Sequence, residues 1–251
     1  MRRVYATTFA LVTAFALASV SAQQPPAGPP PAGGQQPPAG APAGGQRMGG
    51  MQDTAKKVAN GGIRGSGWQG RPDPGTGAVN DASLDVKGAN IEIHTGPAML
   101  YWNPANKATG DFTVSATFTE PKYMSSNDHP HPYGVFIGGS GLDGANANAL
   151  YCAAYGRGTF IVRAFTPAVA NINGARPSPS DAIHKAASQG DSLEQTIAMS
   201  VKGSRVTCSI NGTEVASYDK GEVKIPTTDG IVGIRAAHNV DVNVKDFKIT
   251  K

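Results

Sequence analysis

The sequence predicts an all-β fold, an antiparallel β-sandwich, and the last fifty residues carry most of that expectation. Val206, Cys208 and Ile210 alternate with Arg205, Thr207 and Ser209, so that run has one apolar face. Asn211-Gly212 follows, the pair that tolerates positive φ in a tight type I′ turn, and a second alternating run returns from Thr213. The closing run sets Val240, Val242 and Val244 on one side, then shifts parity to Phe247 and Ile249, which requires a bulge near Lys245-Asp246.

The remaining elements follow in chain order. Strand-like runs are read at 83–86, 90–95, 98–102, 111–119, 133–138 and 148–155, then at 159–165, 195–201, 205–210, 213–218, 230–236 and 240–249. Clusters of Gly, Pro, Asn and Asp separate them, and many short strands at such spacing indicate a sandwich or barrel. Phe112, Val114, Ala116 and Phe118 alternate with Thr113, Ser115, Thr117 and Thr119. One face of that strand is therefore core, and the other is a hydroxyl ladder suited to water or a polar ligand. Gly156-Arg157-Gly158 turns one strand into the next, and only 180–188 reads as helical.

The beginning of the chain reads differently. Arg2 and Arg3 precede an apolar stretch from Phe9 to Val20, and small residues at Val20-Ser21-Ala22 offer a cleavage site, so residues 1–22 are read as an export signal. The expected location is periplasmic or secreted. The apolar stretch is shorter than the roughly 20 residues a bilayer requires, so no membrane span is expected. Residues 23–52 are almost all Gln, Pro, Ala and Gly, with Gln-Gln-Pro-Pro-Ala-Gly at Gln23 and again at Gln35. Such a tract has no large apolar side chains to offset the entropy of ordering. It is read as a disordered tether, either a plain spacer or a tail that engages an envelope partner. Residues 53–251 form one domain.

Charge excludes one class of function. The chain has 22 basic and 18 acidic residues, a formal charge of +4 that falls to +2 once Arg2 and Arg3 are removed. The remaining cations are scattered singly, apart from Lys56-Lys57, and leave no footprint for a nucleic-acid backbone.

Cys152 shares parity with Leu150 and Ala154, and Cys208 with Val206 and Ile210, so both sulfurs face the interior. They form a disulfide, as exported cysteines usually do, or serve as two small buried apolar residues.

Several clusters could carry chemistry. Asn127-Asp128-His129-Pro130-His131-Pro132-Tyr133 is the densest polar one. In extended chain His129 and His131 point the same way, so they could converge on a sugar or a metal; the alternative is a polar loop entering the Tyr133 strand. Two histidines make no zinc site without a third ligand, so neither metal nor cofactor is expected. Gly138 to Asn146 matches a calcium-binding nonapeptide by letter, but it occurs once and Ala145 replaces the large apolar residue. A glycine-rich loop is the expectation. Glu92 and His94 share the outward face of their strand, as an acid-base pair or as ordinary exposed residues. The glutamates Glu92, Glu120, Glu194, Glu214 and Glu222 include no pair spaced along one strand to face a single cleft, as glycosidases need. No Gly-x-Ser-x-Gly elbow occurs either. Trp68, Tyr101, Trp102, Tyr133 and Tyr155 are aromatic candidates for packing on a sugar ring, though the neighbours Tyr101 and Trp102 must point to opposite sides.

Taken in order, Gly67-Trp68-Gln69-Gly70, Met99-Leu100-Tyr101-Trp102, the strand opening at Gly110 to Val114, Tyr133 to Ile137, Val201-Lys202-Gly203 through Ile210-Asn211-Gly212, and Gly230 to Ile234 with His238 after it resemble the 3-keto-disaccharide hydrolase-like family. The resemblance spans nearly the whole domain. It implies a concanavalin A-like jelly-roll sandwich of the lectin/glucanase superfamily, and an exported carbohydrate-binding or carbohydrate-processing, glycoside hydrolase-like activity. The Glu-x-Asp-x-x-Glu strand of the glucanase branch is absent, so ordinary endoglucanase activity is not expected. The implied site lies on the concave sheet and its rim, where His129, His131, Tyr133, Arg163, Arg235 and His238 are the candidate ligand-binding residues. Arg163, on an outward face, can bind sugar hydroxyls or a carboxylate, or simply be solvated. The competing expectation is a non-catalytic cell-envelope protein that binds another macromolecule.

Overall fold

The computed structural model describes residues 54–251 apart from Ser66 and Ala168. The export-signal reading of residues 1–22 and the tether reading of 23–52 fall outside the described residues. The strands, in chain order, are β1 (Gly62–Arg64), β2 (Gln69–Pro72), β3 (Ser83–Lys87), β4 (Asn90–His94), β5 (Met99–Ala108), β6 (Phe112–Glu120), β7 (Tyr133–Ser140) and β8 (Asn148–Tyr155). They continue as β9 (Thr159–Phe165), β10 (Ala170–Asn171), β11 (Ser178–Pro179), β12 (Leu193–Lys202), β13 (Arg205–Ile210), β14 (Thr213–Asp219), β15 (Gly230–Ala236) and β16 (Asp241–Thr250).

The fold class is the predicted one, a sandwich of two sheets. The first runs β1-β3-β4-β16-β6-β12-β13-β14, and the second β10-β9-β8-β7-β15-β5-β2 with β11 also on β9. Among the described residues, all strand pairings are antiparallel except β1 on β3. The Asn211-Gly212 turn takes φ of 51° and 81°, the left-handed values that the β13–β14 hairpin demands. The register of β16 on β6 shifts between Lys245 and Lys248, with Asp246 at φ 55°, which is the bulge that the parity change called for.

One expectation is corrected and one open alternative is decided. Residues 180–188 form turns and a bridge between Lys185 and Arg157 instead of a helix. Asn211 and Gln195 hold that segment through the Ala182 and His184 carbonyls, so tertiary hydrogen bonds override a weak local preference. Glu92 and His94 do not pair with each other. Glu92 binds Lys87 at 2.6 Å, while Asp241 on the neighbouring strand takes the His94 imidazole at 2.8 Å and raises its pKa.

The core between the sheets holds the inward residues of both: Phe112, Val114 and Phe118 of β6, and Tyr133, Val135 and Ile137 of β7, with Leu150 and Cys152 of β8. Cys152 and Cys208 are disulfide-bonded across it, which settles the alternative left open by parity. A second apolar cluster lies on the opposite face of the second sheet, built from Leu100, Trp102, Phe136, Tyr151, Ile161 and Phe165. That sheet is therefore covered by side chains on both faces, and this outer layer positions the site.

Candidate functional site

Strand register builds the site on the outer face of the second sheet. Arg71 pairs with Leu100, Leu100 with Arg235, Arg235 with Gly134, Gly134 with Ala153 and Ala153 with Ile161. Between Arg235 and Ile161 that row contains only a hydrogen and a methyl group, so the face dips. Gly134 can be nothing larger, because a Cβ there would sit 1.9 Å from the Cys152 carbonyl oxygen. The next row sets Tyr151 beside Arg163.

A cleft of about 350 Å³ occupies this depression. Its walls include Tyr151, Tyr155, Ile161 and Arg163 from β8 and β9, Arg157 from their connecting turn, Arg235 from β15 and Asp73 beyond β2. His129, His131 and His238 close the remaining side. A second depression of about 510 Å³ adjoins it and shares Asp73, Ala98 and His238 as walls.

Backbone hydrogen bonds fix the histidine side. Ala237 N–H donates to the Pro132 carbonyl at 2.9 Å, locking the histidine loop to the segment that follows β15. Thr95 Oγ donates to the Ala237 carbonyl at 2.6 Å and accepts from Val240 N–H at 2.8 Å. Asn127 Nδ2 donates to the Asn239 carbonyl at 2.6 Å, and Asn239 holds a left-handed φ of 52°. The result is a close ring cluster: His129 tilted against His131 with centroids 4.5 Å apart, and His131 edge-on to His238 at 3.9 Å. His129 Nδ1 lies 2.6 Å from Asp128 Oδ1, which assigns the proton to that nitrogen. Its Nε2 then accepts from His131 Nε2–H across 3.0 Å, and one proton is shared between the two rings. Such a pair can accept or deliver a proton at the mouth of the cleft. Among the described residues, no group of three or more His, Cys, Asp or Glu side chains is arranged to hold a metal ion.

The arginines differ in how they are satisfied. Arg235 is 7% exposed, and Asp73 holds it through two bonds of 2.5 and 2.6 Å. Its guanidinium lies 5.1 Å from the Tyr151 ring centroid. Burial alone would lower its pKa, but the Asp73 carboxylate more than offsets this and raises it. Arg157 lies 5.3 Å from the Tyr155 ring and donates to Thr159 Oγ at 3.3 Å. Arg163 is half-buried, and its Nε is fully buried with no hydrogen-bond partner. Burial raises the Tyr155 hydroxyl, while the nearby charges of Arg163, Arg157 and Arg235 pull it down.

Five of the six residues singled out from sequence, His129, His131, Arg163, Arg235 and His238, line this one cleft. Tyr133 does not. It is wholly buried between the sheets and stacks on Phe118 with centroids 5.4 Å apart. Its place at the end of the histidine loop suggested the surface, but strand parity carries its ring inward. Trp68 packs edge-on against Phe247, Tyr101 lies in the inter-sheet core and Trp102 in the outer cluster. The Gly138 to Asn146 loop is held by Arg71, which donates to the Leu142 and Gly144 carbonyls at 2.9 and 2.7 Å.

Sequence reasoning missed Asp73, Tyr151 and Arg157. Tyr151 was legible, since inward Leu150, Cys152 and Ala154 oblige it to face out. Asp73 gave no sequence signal, as its role depends on β2 lying beside β5.

No family model and no curated protein matches the chain. Among solved structures, it is similar to a protein of unknown function with galectin-like fold from Bacillus subtilis, at 16% identity and TM-score 0.47, over 72% of this chain and 88% of that one. It is also similar to the carbohydrate binding module CBM66 from Bacillus subtilis, at 10% identity and TM-score 0.43, over 76% and 99% of the two chains. The carbohydrate recognition domain of Emp46p in its metal-free form matches at 10% identity and TM-score 0.44, over 73% and 88%. At these values the likenesses carry no information about what the cleft binds.

Proposed function

We propose that this is an exported carbohydrate-binding domain whose sugar site is the cleft on the outer face of the second sheet. The observation that carries the reading is convergence: two tyrosines, three arginines and three histidines from separate elements meet around one depression of about 350 Å³ that continues into a second. A pyranose needs an aromatic surface for its apolar face and fixed polar groups for its hydroxyls, and the adjoining depression leaves room for a second ring. Binding is favoured over double-carboxylate hydrolysis, because Asp73 is the one carboxylate among the described lining residues and Arg235 already holds it. The histidine pair keeps proton transfer within reach. Membership of the 3-keto-disaccharide hydrolase-like family is supported by the ordered motifs from Gly67-Trp68 to His238, and export by residues 1–22.

A glycan array combined with hydrolysis assays on glucosides and 3-keto-glucosides tests this. Saturable binding without turnover is the expected outcome, and His131→Ala and His238→Ala should each weaken it about tenfold, the worth of one good polar contact. Turnover would reassign the domain as an enzyme. Silence on every saccharide, with both variants indistinguishable from the parent, would sink the reading in favour of an envelope protein that binds another macromolecule.

A further inference from the structure

Among the described residues, the cleft carries more cationic donors than its acidic groups can satisfy. Arg235 is matched by Asp73, but neither Arg157 nor Arg163 has a carboxylate within ion-pair distance among the described residues. Arg163 stands on β9 beside Tyr151, half-buried, with its Nε–H sealed from solvent and unmatched by any acceptor. Asp73 is the single acidic residue among the described cleft walls. A neutral sugar presents hydroxyls that both donate and accept, and would find few acceptors here. A group that only accepts, and does so through two oxygens, fits the fork of a guanidinium.

We propose that the cleft selects an acidic saccharide, with Arg163, assisted by Arg157, binding the oxyanion of a sugar carboxylate or sulfate ester. The proposal rests on the carbohydrate reading and sharpens it. Tyr155, which lines the same cleft wall as both arginines, offers its ring to the sugar that bears the charge. The half-buried setting strengthens a charge-assisted hydrogen bond to the terminal nitrogens of Arg163, and an anion there supplies a counter-charge that the described residues do not. Arg157, on the turn between β8 and β9, adds long-range attraction that salt screens.

Titration calorimetry on the full chain at low salt decides it, using tetragalacturonate, the same tetramer after carboxyl reduction, and a κ-carrageenan oligosaccharide that carries sulfate. At least one acidic probe should bind ten or more times more tightly than the reduced neutral tetramer, and added salt should erode the difference. Preference for tetragalacturonate would identify the carboxylate as the source, and preference for the carrageenan the sulfate. Arg163→Gln should abolish the preference while Arg163→Lys keeps part of it, with melting temperatures of both variants reporting that the fold is intact. Equal binding of acidic and neutral probes overturns the acidic preference and leaves the sugar site standing, as does an Arg163→Gln protein that still discriminates. Binding by none of the three, with a glycan array equally silent, overturns both readings together.

Discussion

The outer faces of the two sheets are made from the same strand periodicity and have opposite characters. On the first sheet, Thr117 and Thr196 hydroxyls bond each other at 2.9 Å, Thr119 Oγ donates to Glu194 at 3.0 Å, and Lys245 meets that glutamate at 3.0 Å. Lys87 pairs with Glu92, and His94 with Asp241. Each of these polar groups finds its partner on its own face. On the second sheet, apolar side chains cover the strands, Gly134 and Ala153 leave a dip, and among the described residues Arg157 and Arg163 stand at its edge without an acidic partner. A polar face that satisfies itself is a solvated wall; a face with surplus buried donors is a place where something else binds. The threonine ladder was read from sequence as suited to water or a polar ligand, and its Thr117, Thr119 and Thr196 hydroxyls are taken up within their own face.

The largest expected effect removes what joins the two faces. The disulfide ties β8 of the second sheet to β13 of the first, across 56 residues of sequence. Closing a loop of that length in the unfolded chain is worth about 4 kcal/mol in the chain-entropy view. Replacing both cysteines by alanine should therefore lower the unfolding free energy in urea by about that amount. A loss below about 1 kcal/mol would mean that the two sheets hold together by packing alone.

Asp73→Ala should come next and act on the second face only. It leaves a guanidinium that is 7% exposed without its counter-charge, a change that costs about 3 kcal/mol when one partner of a buried pair is removed. Because Asp73 itself is partly open to water, the lower end of the range for such pairs applies. Denaturant titration should find most of that loss restored when Arg235→Leu is added, since the apolar cluster around Tyr151 and Phe165 accepts an aliphatic side chain. If the double variant is no better than the single one, Arg235 supports the face through contacts other than the ion pair.

Between the faces, at the end of β6, lies Glu120. It is 5% exposed, one oxygen accepts from Met124 N–H at 3.0 Å, and the other is buried without a partner. Burial first, and the Asp241 carboxylate second, push its pKa from an ordinary 4.5 up to about 7, against the Met124 bond that favours ionisation. Tyr133 and Tyr123 also face it. The folded protein thus binds this proton more tightly than the unfolded chain. Stability is fully present below about pH 4.5 and falls as pH rises through about 7, by about 3 kcal/mol from this group. Glu120→Gln should flatten that part of the pH profile of unfolding, and a profile unchanged by the substitution would remove Glu120 as its source.

How far the sequence could be read differs between the faces for the same physical reason. Period-two alternation shows which residues leave the core, so β6, β8, β9, β13 and β15, the outward arginines and the inward cysteines were all legible. Alternation does not show what covers an outward face. The short strands β1, β2, β10 and β11 have too few residues for any period, and β2 sets Asp73 against Arg235 from 162 positions away. Tyr133 failed as a site residue because it was grouped with the histidine loop, whereas it opens the strand and shares the inward parity of Val135 and Ile137.

The smallest expected effect tests the first face directly. Thr117 and Thr196 are cross-strand neighbours whose hydroxyls bond each other, and Thr117 is mostly covered while water can reach Thr196. Replacing both by valine keeps the β-branched shape that suits a strand and removes donor and acceptor together, so no polar group is stranded. The net change should stay under about 1 kcal/mol, since a hydrogen bond of this kind is exchanged for ones made with water in the unfolded chain. Thr117→Val alone should cost more than the pair, because it leaves the Thr196 hydroxyl facing a methyl group. Saccharide binding should be unchanged in both variants, measured by the titration used for the cleft. A tenfold loss of binding in the double variant would place a sugar contact on the threonine ladder and dissolve the distinction between a self-satisfied wall and a donor-rich cleft.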